Sequence, residues 1–322
     1  MSRKPWFMRW LWTVLCHNRA VGFRGRRAAA SAGNGEMLIM CRKPSAATYA
    51  VVMILVLVAV AAAETSHKEY HFKVGRKASI SIINPYGPVS VKAGQGKQVV
   101  VTAILYSDKV EIDQSNRKNR VTVFSHLLDG ASPETGRVDY EVLMPADASV
   151  TLHATTGPLH VEKLRGDVIV EGSNAVIDVK DVGSGHVHIQ TLNGPVTLTN
   201  VSDGHVEITS VSGDVALNAV NGSLVHVNSS SGKIHYDGDF GDSGDYSLAT
   251  HNGDIEAIAP ALASIEVVAR SVQGRVENDF PLEPEHTTFA PKAGSSFVGT
   301  SGEASSSVKL LSFSGKIHLK KR

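Results

Sequence analysis

Short stretches of alternating apolar and polar residues recur through the C-terminal two-thirds of the chain. Two successive stretches, "TLNGPVTLTNVSDGHVEIT" (residues 191–209) and "SVSGDVALNAVNGSLVHVN" (residues 210–228), align over nineteen positions without a gap. Alternation is typical of β-strands, because successive side chains of a strand point to opposite faces. Segments such as "TLNG", "VSDG" and "SVSG" separate the strands and predict tight turns, in which we expect glycine to supply positive φ angles. Each unit therefore predicts two short strands and two turns.

The apolar positions fall into two columns whose members lie 19 or 21 residues apart. The first column is Ile177, Val196, Val215, Ile234, Ile255 and Val276, and the second is Val168, Val187, Val206, Val225, Tyr246 and Ile265. A period near 20 that persists over several units is typical of a solenoid, in which each unit is one coil and equivalent strands stack as parallel ladders. The sequence thus predicts an all-β fold. It is a parallel β-solenoid with about 19–21 residues and two short strands per coil, preceded by a smaller irregular β region.

The same pattern divides the chain after its N-terminus into two regions. Residues 150–319 are predicted to form the solenoid, with residues 280–307 as a loop insertion, since "SSVKLLSFSGKIHLKKR" restores the alternation afterwards. Residues 64–149 are β-rich but irregular, and they predict an N-terminal cap or small sandwich that continues into the solenoid. The final basic residues, 320–322, are expected to discourage strand pairing at an open edge.

The segment before this region has the order of a signal peptide. Arg42 and Lys43 precede an apolar run that extends from Tyr49 to Ala63 and ends in "AAA". We predict a signal peptide over residues 37–63, with cleavage before Glu64. The run is shorter than the ~20 residues that cross a bilayer as a helix, so a membrane anchor is expected only if the segment stays uncleaved.

The first 36 residues stand oddly in front of a signal peptide. Residues 1–36 are expected to be an upstream extension or a disordered segment, with translation starting at Met37 or Met40. A membrane-surface or nucleic-acid-binding segment is the alternative, because the stretch is rich in Arg and Trp. Both cysteines, Cys16 and Cys41, precede the predicted cut, so the exported chain would rely on no disulfide.

The charge balance changes at the predicted cut. Residues 1–63 hold nine of the 32 basic and one of the 31 acidic residues, which leaves 23 basic and 30 acidic residues and a net charge of −7. A moderately acidic chain argues against nucleic acid as a partner. The predicted location is the bacterial envelope: periplasm, cell surface or secreted.

Three features of the chain resemble a known family. They are "INPYGPVSVKAG" after the export segment, "VLMPADASVTLHATTGPLHVEKLRGDVIVEG", and the string of S/T-x-x-G-x-[VI]-x-[VIL] units that ends in "SFSGKIHL". Together they cover roughly residues 72–319, and the chain resembles the bacterial putative adhesin family of β-solenoid domains of unknown function. The resemblance implies a non-enzymatic, envelope-located protein. It carries over no catalytic or binding residue, because the shared motif consists of turn glycines and core aliphatic residues.

Histidines provide the first candidate site. His186 and His205 occupy equivalent positions on adjacent coils and are expected about 5 Å apart. His188, Glu207 and His226 form a second outward column, and two imidazoles with a carboxylate can hold a divalent metal. A flat sheet face has no second shell of side chains to orient the imidazoles, however. We therefore interpret both columns as solvated polar ladders and predict no metal site.

Four aspartates in one glycine-rich turn provide the second candidate site. The turn is "YDGDFGDSGDYS", residues 236–247, and its carboxylates suit calcium. The order matches neither the EF-hand loop nor the calcium-binding nonapeptide. Since the column step lengthens by two residues here, we expect a looser, solvated loop. The aspartates are Asp237, Asp239, Asp242 and Asp245.

No phosphate loop, dinucleotide fingerprint or nucleophile motif occurs in the sequence. We therefore predict an exported, non-enzymatic, adhesin-like envelope protein that acts as a surface or periplasmic binding or scaffold module. Its partner would be an unidentified envelope or surface ligand, protein or glycan, and no catalytic or cofactor-binding residue is predicted. The alternatives are a polysaccharide-acting β-helix enzyme, and a structural spacer or envelope-stress accessory protein. The outward positions that an enzyme would use are scattered in type: His188, Thr197, Glu207, Ala216, His226, His235, Glu256 and Glu277.

Overall fold

The computed structural model describes residues 65–280, 282–284 and 295–322. The predicted signal peptide and the segment before it lie outside these residues. Within the described ranges there is no helix that is long and apolar enough to cross a membrane.

The described residues form strands connected by short turns, and the predicted all-β class is confirmed. The strands of the N-terminal part are β1 Ser66–Lys73, β2 Ser79–Tyr86, β3 Val89–Gly94, β4 Gln98–Leu105, β5 Val110–Arg117, β6 Arg120–Leu127, β7 Val138–Pro145, β8 Ser149–Glu162 and β9 Val168–Gly183. Those of the middle are β10 Val187–Thr191, β11 Val196–Ser202, β12 His205–Ser210, β13 Val215–Asn221, β14 Leu224–Ser229, β15 Ile234–Asp237, β16 Asp245–Thr250 and β17 Ile255–Ala259. Those of the C-terminal part are β18 Ile265–Ser271, β19 Val276–Asn278, β20 Glu283–Pro284, β21 Ser295–Ser301, β22 Ser306–Ser312 and β23 Ile317–Lys321.

These strands make two ladders that share the long strands β8 and β9. The first ladder runs β5, β6, β2, β8, β9, β10, β12, β14, β16, β22, β18, β21 and β20. The second runs β1, β4, β7, β3, β8, β9, β11, β13, β15, β17, β23 and β19. Pairing is parallel from β6 to β18 in the first ladder and from β7 to β19 in the second. The predicted parallel solenoid is therefore confirmed.

The register of the middle coils follows the predicted columns. Val187 pairs with Val168 and Val206, and Val206 pairs with Val225. All four side chains are buried, with at most 1 % of their surface exposed. Stacking like on like in this way lets each coil complete the core of its neighbours, which a lone coil of about 19 residues cannot do for itself.

The turn glycines serve a different purpose from the predicted one. A Cβ on Gly213 would lie 1.9 Å from the carbonyl oxygen of Gly194, and one on Gly232 would lie 2.1 Å from that of Gly213. None of these three residues has a positive φ. Glycine is needed because the turns stack backbone on backbone, with no room for a side chain between coils.

Each of these turns is also closed by a buried hydroxyl. Ser210 Oγ donates to the carbonyl oxygen of Gly213 at 2.9 Å. In the next coil Ser229 Oγ accepts from the N–H of Gly232 at 2.9 Å. Ser and Thr side chains close turns of this kind by bonding backbone groups nearby in sequence. The S/T-x-x-G unit is thus a turn motif whose first and last residues both face the interior of the stack.

The parallel stack begins at Ser79 rather than at residue 150. Strands β2 and β3 pair in parallel with β8, and the turn residues Gly87 and Gly157 adopt φ values of 115° and 118°. "GPV" at residues 87–89 and "GPL" at residues 157–159 are therefore the same turn in neighbouring coils. The insertion of residues 98–145 separates them in sequence and hides the repeat. Its strands β6 and β7 stack in parallel on β2 and β3, and β5 and β4 pair antiparallel with β6 and β7 as a cap. The predicted irregular β region before the solenoid corresponds to this cap together with β1.

The C-terminal strands do not lie where the predicted columns place them. Ile255 pairs with Ile317, and Ile317 pairs with Val276. In the other ladder Val308 lies between Tyr246 and Val267. The prediction that Ile255 stacks directly on Val276, and Tyr246 on Ile265, is therefore wrong. The last coil of the sequence, β22 and β23, is inserted between the two coils that precede it.

This insertion also changes the predicted edge and loop. Residues 320 and 321 belong to β23 and pair with β17, while β19 on the other side ends at Asn278, opposite Leu319. Most of β23 therefore lies inside the sheet, and the final basic residues begin where β19 ends. Within the predicted loop 280–307, residues 295–301 form β21, which pairs antiparallel with β18. An antiparallel strand ends the run of parallel coils at this end, just as the inserted cap does at the other.

The coil with the longer step carries aromatic side chains inside, and its turn exposes Asp239, Asp242 and Ser243 to solvent. Phe240 is fully buried between Tyr236 and Tyr246, with ring centroids 4.4 Å and 5.1 Å away. The hydroxyl of Tyr236 donates to the carbonyl oxygen of Val220 at 3.0 Å. Burial raises the pKa of both tyrosines. The longer chain of this coil makes room for these rings.

Candidate binding surface

The two histidines of adjacent coils stack as the repeat predicts. The ring centroids of His186 and His205 are 4.7 Å apart, and both residues are exposed. The nearby carboxylate of Asp167 accepts the backbone N–H of His186 at 3.1 Å. Among the residues that the structure describes, no group of three or more His, Cys, Asp and Glu side chains could hold a metal ion.

The second histidine column consists of separate pairs. His188 Nδ1 lies 3.2 Å from Glu207 Oε2. Glu207 is also the register partner of His226, but His226 Nε2 lies 3.7 Å from Asp245 Oδ2. The column therefore links neighbouring coils through exposed or half-buried contacts between imidazole nitrogens and carboxylate oxygens.

The four aspartates of the glycine-rich turn have different partners. Asp237 pairs with Arg322, while Asp239 accepts the N–H of Gly241 at 3.1 Å. Asp245 lies between two coils and pairs with Lys309 at 3.5 Å. The fourth, Asp242, lines an open groove of about 720 Å³ together with Asp239, Asn221 and Leu262.

Sequence reasoning missed one column of charges, because the insertion of the last coil creates it. In spatial order His235, Glu256, His318 and Glu277 alternate along the second ladder. His235 Nδ1 lies 2.9 Å from Glu256 Oε2, and His318 Nδ1 lies 3.8 Å from Glu277 Oε2. His318 and Glu256 are far apart in the sequence, and no local pattern connects the two.

Lysines of the inserted coil hold these carboxylates in the charged form. Lys320 contacts Glu256, and Lys316 contacts Glu277. Lys320, with a smaller part from His235, lowers the pKa of Glu256, and Lys316 lowers the pKa of Glu277. A third carboxyl, Glu162, has its pKa lowered to about 2 by Lys163 and His160. These outward carboxylates therefore stay charged, and neighbouring cationic side chains balance their charge.

Exposed apolar side chains follow a different line, along one corner of the solenoid. They occupy the second position of the S/T-x-x-G turns, where the turn itself needs no side chain. We call this line the turn corner; in spatial order its residues are Leu192, Val211, Ser230, His251, Phe313 and Val272. Leu192 is 51 % exposed, Val211 43 % and Phe313 38 %.

Two rings of the turn corner stack on each other and remain partly exposed to solvent. The ring centroids of His251 and Phe313 are 4.6 Å apart, and their planes differ by 9°. Such a pair covers one face of each ring and leaves the ring edges at the surface. The corner therefore offers an apolar line of narrow width rather than a flat aromatic platform.

Two shallow grooves accompany the turn corner. One of about 400 Å³ lies beside Leu192 and Val211, and another of about 460 Å³ lies beside His251 and Phe313. From Leu192 to Val272 the corner crosses five coil-to-coil steps, which is about 24 Å at 4.8 Å per step. Polar side chains line the grooves on the strand side: His153, Glu171, Gln190 and Thr209 in the first, and Asn228 and Arg270 in the second.

The signal for the turn corner is present in the sequence. The turns "TLNG", "SVSG", "SVQG" and "SFSG" place an apolar residue between a hydroxyl and a glycine, although turns favour polar residues there. Alternation identifies the strand positions and their inward and outward faces, but it says nothing about the turn residues between the strands. For this reason the corner is absent from the predicted candidate sites.

A capped stack of parallel coils that repeat every 19 to 21 residues defines a β-solenoid repeat protein. The chain belongs to the Toastrack DUF4097 family, whose model matches residues 78–320, which confirms the resemblance drawn from the sequence. No curated protein matches the chain.

Solved structures that match the chain share little sequence with it. A putative adhesin from Bacteroides fragilis is 13 % identical, with 80 % of this chain and 97 % of that chain covered and a TM-score of 0.41. A putative adhesin from Parabacteroides merdae is 11 % identical, with 80 % and 97 % covered and a TM-score of 0.37. A putative cell adhesion protein from Clostridium sporogenes is 12 % identical, with 80 % and 100 % covered and a TM-score of 0.26.

Proposed function

We propose that the chain is an exported, non-enzymatic binding module of the cell envelope and that its turn corner binds an extended polypeptide. The observation that carries the proposal is the recurrence of exposed apolar residues, Leu192, Val211 and Phe313, at turn positions that the fold leaves free. Exposed apolar residues that are grouped on one surface mark interaction sites more often than single scattered ones do. Solenoids commonly bind along the axis of the stack, because each coil adds one more contact.

The chemistry of the corner favours a polypeptide over a glycan. Sugar rings pack on the free faces of aromatic side chains, whereas the turn corner holds one phenyl ring, that of Phe313, and His251 covers one of its two faces. An extended peptide buries alternate side chains against small apolar contacts and bonds its backbone to neighbouring polar groups. Leu192 and Val211 supply such contacts, with Gln190 beside them as a donor and acceptor. Asn228 has the same role beside Phe313 in the second groove.

Binding of displayed peptides tests the proposal directly. The mature chain is panned against a library of extended peptides, and the selected peptides are titrated against Leu192→Ser and Phe313→Ser. We expect each variant to weaken binding by about tenfold, which corresponds to the loss of about 1.4 kcal/mol of contact. Leu143→Ser is the matched control, because Leu143 is 48 % exposed but lies on β7, away from the corner.

Other outcomes would assign the chain to the alternatives. Binding on a glycan array that Phe313→Ser abolishes would replace the polypeptide with a glycan. Cleavage of a polysaccharide by the purified chain would favour an enzyme, and a chain that binds neither class would be a spacer. Export is tested separately by N-terminal sequencing of the protein from the envelope fraction, which we expect to begin near Glu64.

A further inference from the structure

The last coil of the chain has a position that the order of the sequence does not explain. Strands β22 and β23, residues 306–321, lie between the coil of β16 and β17 and the coil of β18 and β19. Both neighbours precede it in sequence. The coil of β18 and β19 is therefore made before the coil on which it finally stacks.

The two coils on either side match each other without the inserted coil. Val267 lies 21 residues after Tyr246, and Val276 lies 21 residues after Ile255. The same step separates the pair below, since Val225 pairs directly with Tyr246. Their turn residues keep this step too, from Thr250 to Ser271 and from Gly253 to Gly274. The stack can thus close directly in the same register when the last coil is absent.

The inserted coil is also complementary in charge to both neighbours. Residues 305–322 contain five Lys and Arg residues and no Asp or Glu. On one side Lys309 pairs with Asp245 at 3.5 Å, and Lys320 pairs with Glu256. On the other side Lys316 pairs with Glu277. The coil is therefore recognised by an acidic slot as well as by its buried aliphatic residues.

A short clasp connects the inserted coil to the rest of the chain. Residues 302–305 carry the chain from β21 to β22 across the start of β18, where Glu303 N–H donates to Ser264 Oγ at 2.9 Å. Within the clasp Gly302 has a φ of 63° and Ala304 a φ of 52°. The left-handed conformation is unfavourable for alanine because of its Cβ. Short hinges under strain favour exchange of the segment that they connect.

From these observations we propose that the slot between the coil of β16–β17 and the coil of β18–β19 accepts the C-terminal coil of a second copy of this chain. The clasp opens, residues 306–321 of each copy insert into the other, and every contact of the closed monomer is made again between chains. The product is a reciprocal dimer in which only the clasp changes conformation. A copy that has not yet received a coil closes its own stack directly, in the register that its two flanking coils already share.

Single cysteines on facing strands distinguish exchange between chains from insertion within one chain. Ser247 and Lys309 are register partners on β16 and β22, and neighbouring strands are about 4.8 Å apart, within the Cα separation that a disulfide needs. The full chain is used, with Cys16 and Cys41 replaced by serine. Ser247→Cys and Lys309→Cys chains are unfolded together, refolded and oxidised, and covalent dimers are measured on a non-reducing gel.

We expect the mixture of the two chains to form a covalent dimer several-fold more often than a mixture of Lys309→Cys with Thr197→Cys. Thr197 is the control because it lies on β11 in the other ladder. A chain with both Ser247→Cys and Lys309→Cys must also form its disulfide, which shows that the two positions meet. Dimer formation no greater than in the control mixture overturns the proposal, and so does failure of the double variant to close.

A change in clasp length gives a second measurement that does not depend on cysteines. Deletion of Ala304 and Ser305 prevents the clasp from crossing β18, so we expect the chain to become dimeric in light scattering at the concentration where the natural chain is mostly monomeric. Insertion of Gly-Gly-Ser after Glu303 relieves the clasp and is expected to lower the dimer fraction. A shortened chain that stays monomeric and folded would contradict exchange.

Discussion

The middle of the solenoid and its C-terminal end are built from the same repeat but assembled differently. Between residues 168 and 259 the order of coils in space is the order in the sequence. At the C-terminal end the last coil of the sequence is the second-last coil in space, because it lies between the two coils that precede it. Because all coils have a similar sequence, a given coil can stack on any of several others. In the middle the chain connection places each coil on the one before it. At the C-terminal end the ion pairs of the last coil and its connection through residues 302–305 accompany a different order.

The largest expected effect is on the core of the middle. Val206→Asp places a charge between the stacked Val187 and Val225, where it has no partner. We expect a loss of at least about 3 kcal/mol in the free energy of unfolding, measured by urea denaturation. Glu207→Lys, one residue along and exposed, should change stability by about 0.5 kcal/mol or less. Equal losses from the two changes would show that the assignment of inward and outward positions is wrong.

The same substitution at the C-terminal end should cost less. Leu310 is as fully buried as Val206, but its coil can leave the slot while the coils on either side close upon each other. We expect Leu310→Asp to reduce the free energy of unfolding by at least about 1 kcal/mol less than Val206→Asp does, because the release of one coil is a local event. Trypsin should then cut at Lys309 and Lys316 well before it cuts the middle of the stack. Simultaneous digestion of both regions would show that the two unfold as one unit.

The next largest effect is expected from Gly→Ala substitutions in the turns. The loss of stability should depend on the space between the added Cβ and the neighbouring coil. Gly213→Ala forces a Cβ against the Gly194 carbonyl oxygen and should cost about 1–3 kcal/mol. Gly183→Ala is the matched control, since the nearest atom to its Cβ would be 3.9 Å away. This control should leave stability unchanged or raise it by up to about 1 kcal/mol. Thermal unfolding followed by circular dichroism measures both, and a costly Gly183→Ala would contradict the stacking explanation.

The smallest expected effect is the pH dependence of the inserted coil. Lys320 and Lys316 lower the pKa values of Glu256 and Glu277 in the folded chain, so these carboxylates stabilise it above the ordinary glutamate pKa of about 4.3. That contribution is lost as the pH falls from about 4.3 through the lowered values. We expect the inserted coil to be released more often as the pH falls through this range. Hydrogen exchange of the backbone amides of β22 and β23 measures this release.

Glu256→Gln should remove part of this pH dependence, because the neutral side chain cannot titrate. Glu303→Gln, on the exposed clasp, serves as the control and should leave the profile unchanged. If exchange in β12 rises as early as in β22, acid acts on the whole stack rather than on the inserted coil.

The features that could be predicted from the sequence are those that repeat at short range. Alternation identifies Val206 and its column as core, and the turn motif identifies Ser210 and Gly213 as a unit. The predicted role of the glycine is wrong, because the approach of two turns depends on the neighbouring coil and not on the local φ angle. The burial of Phe240 escapes prediction for a similar reason: only the structure shows that its ring packs against Tyr236 and Tyr246.

By itself the sequence determined the all-β class, the parallel stacking and the faces of the middle strands, because a short and regular period constrains each coil through its nearest neighbours. Only the tertiary structure decided how the stack ends. It placed β2 and β3 beneath β8 across the insertion of residues 98–145, and it brought His318 between Glu256 and Glu277. These contacts join residues that are far apart in the sequence. At such separations identical ladder hydrogen bonds are available to several coils, and burial and charge at the ends select one arrangement.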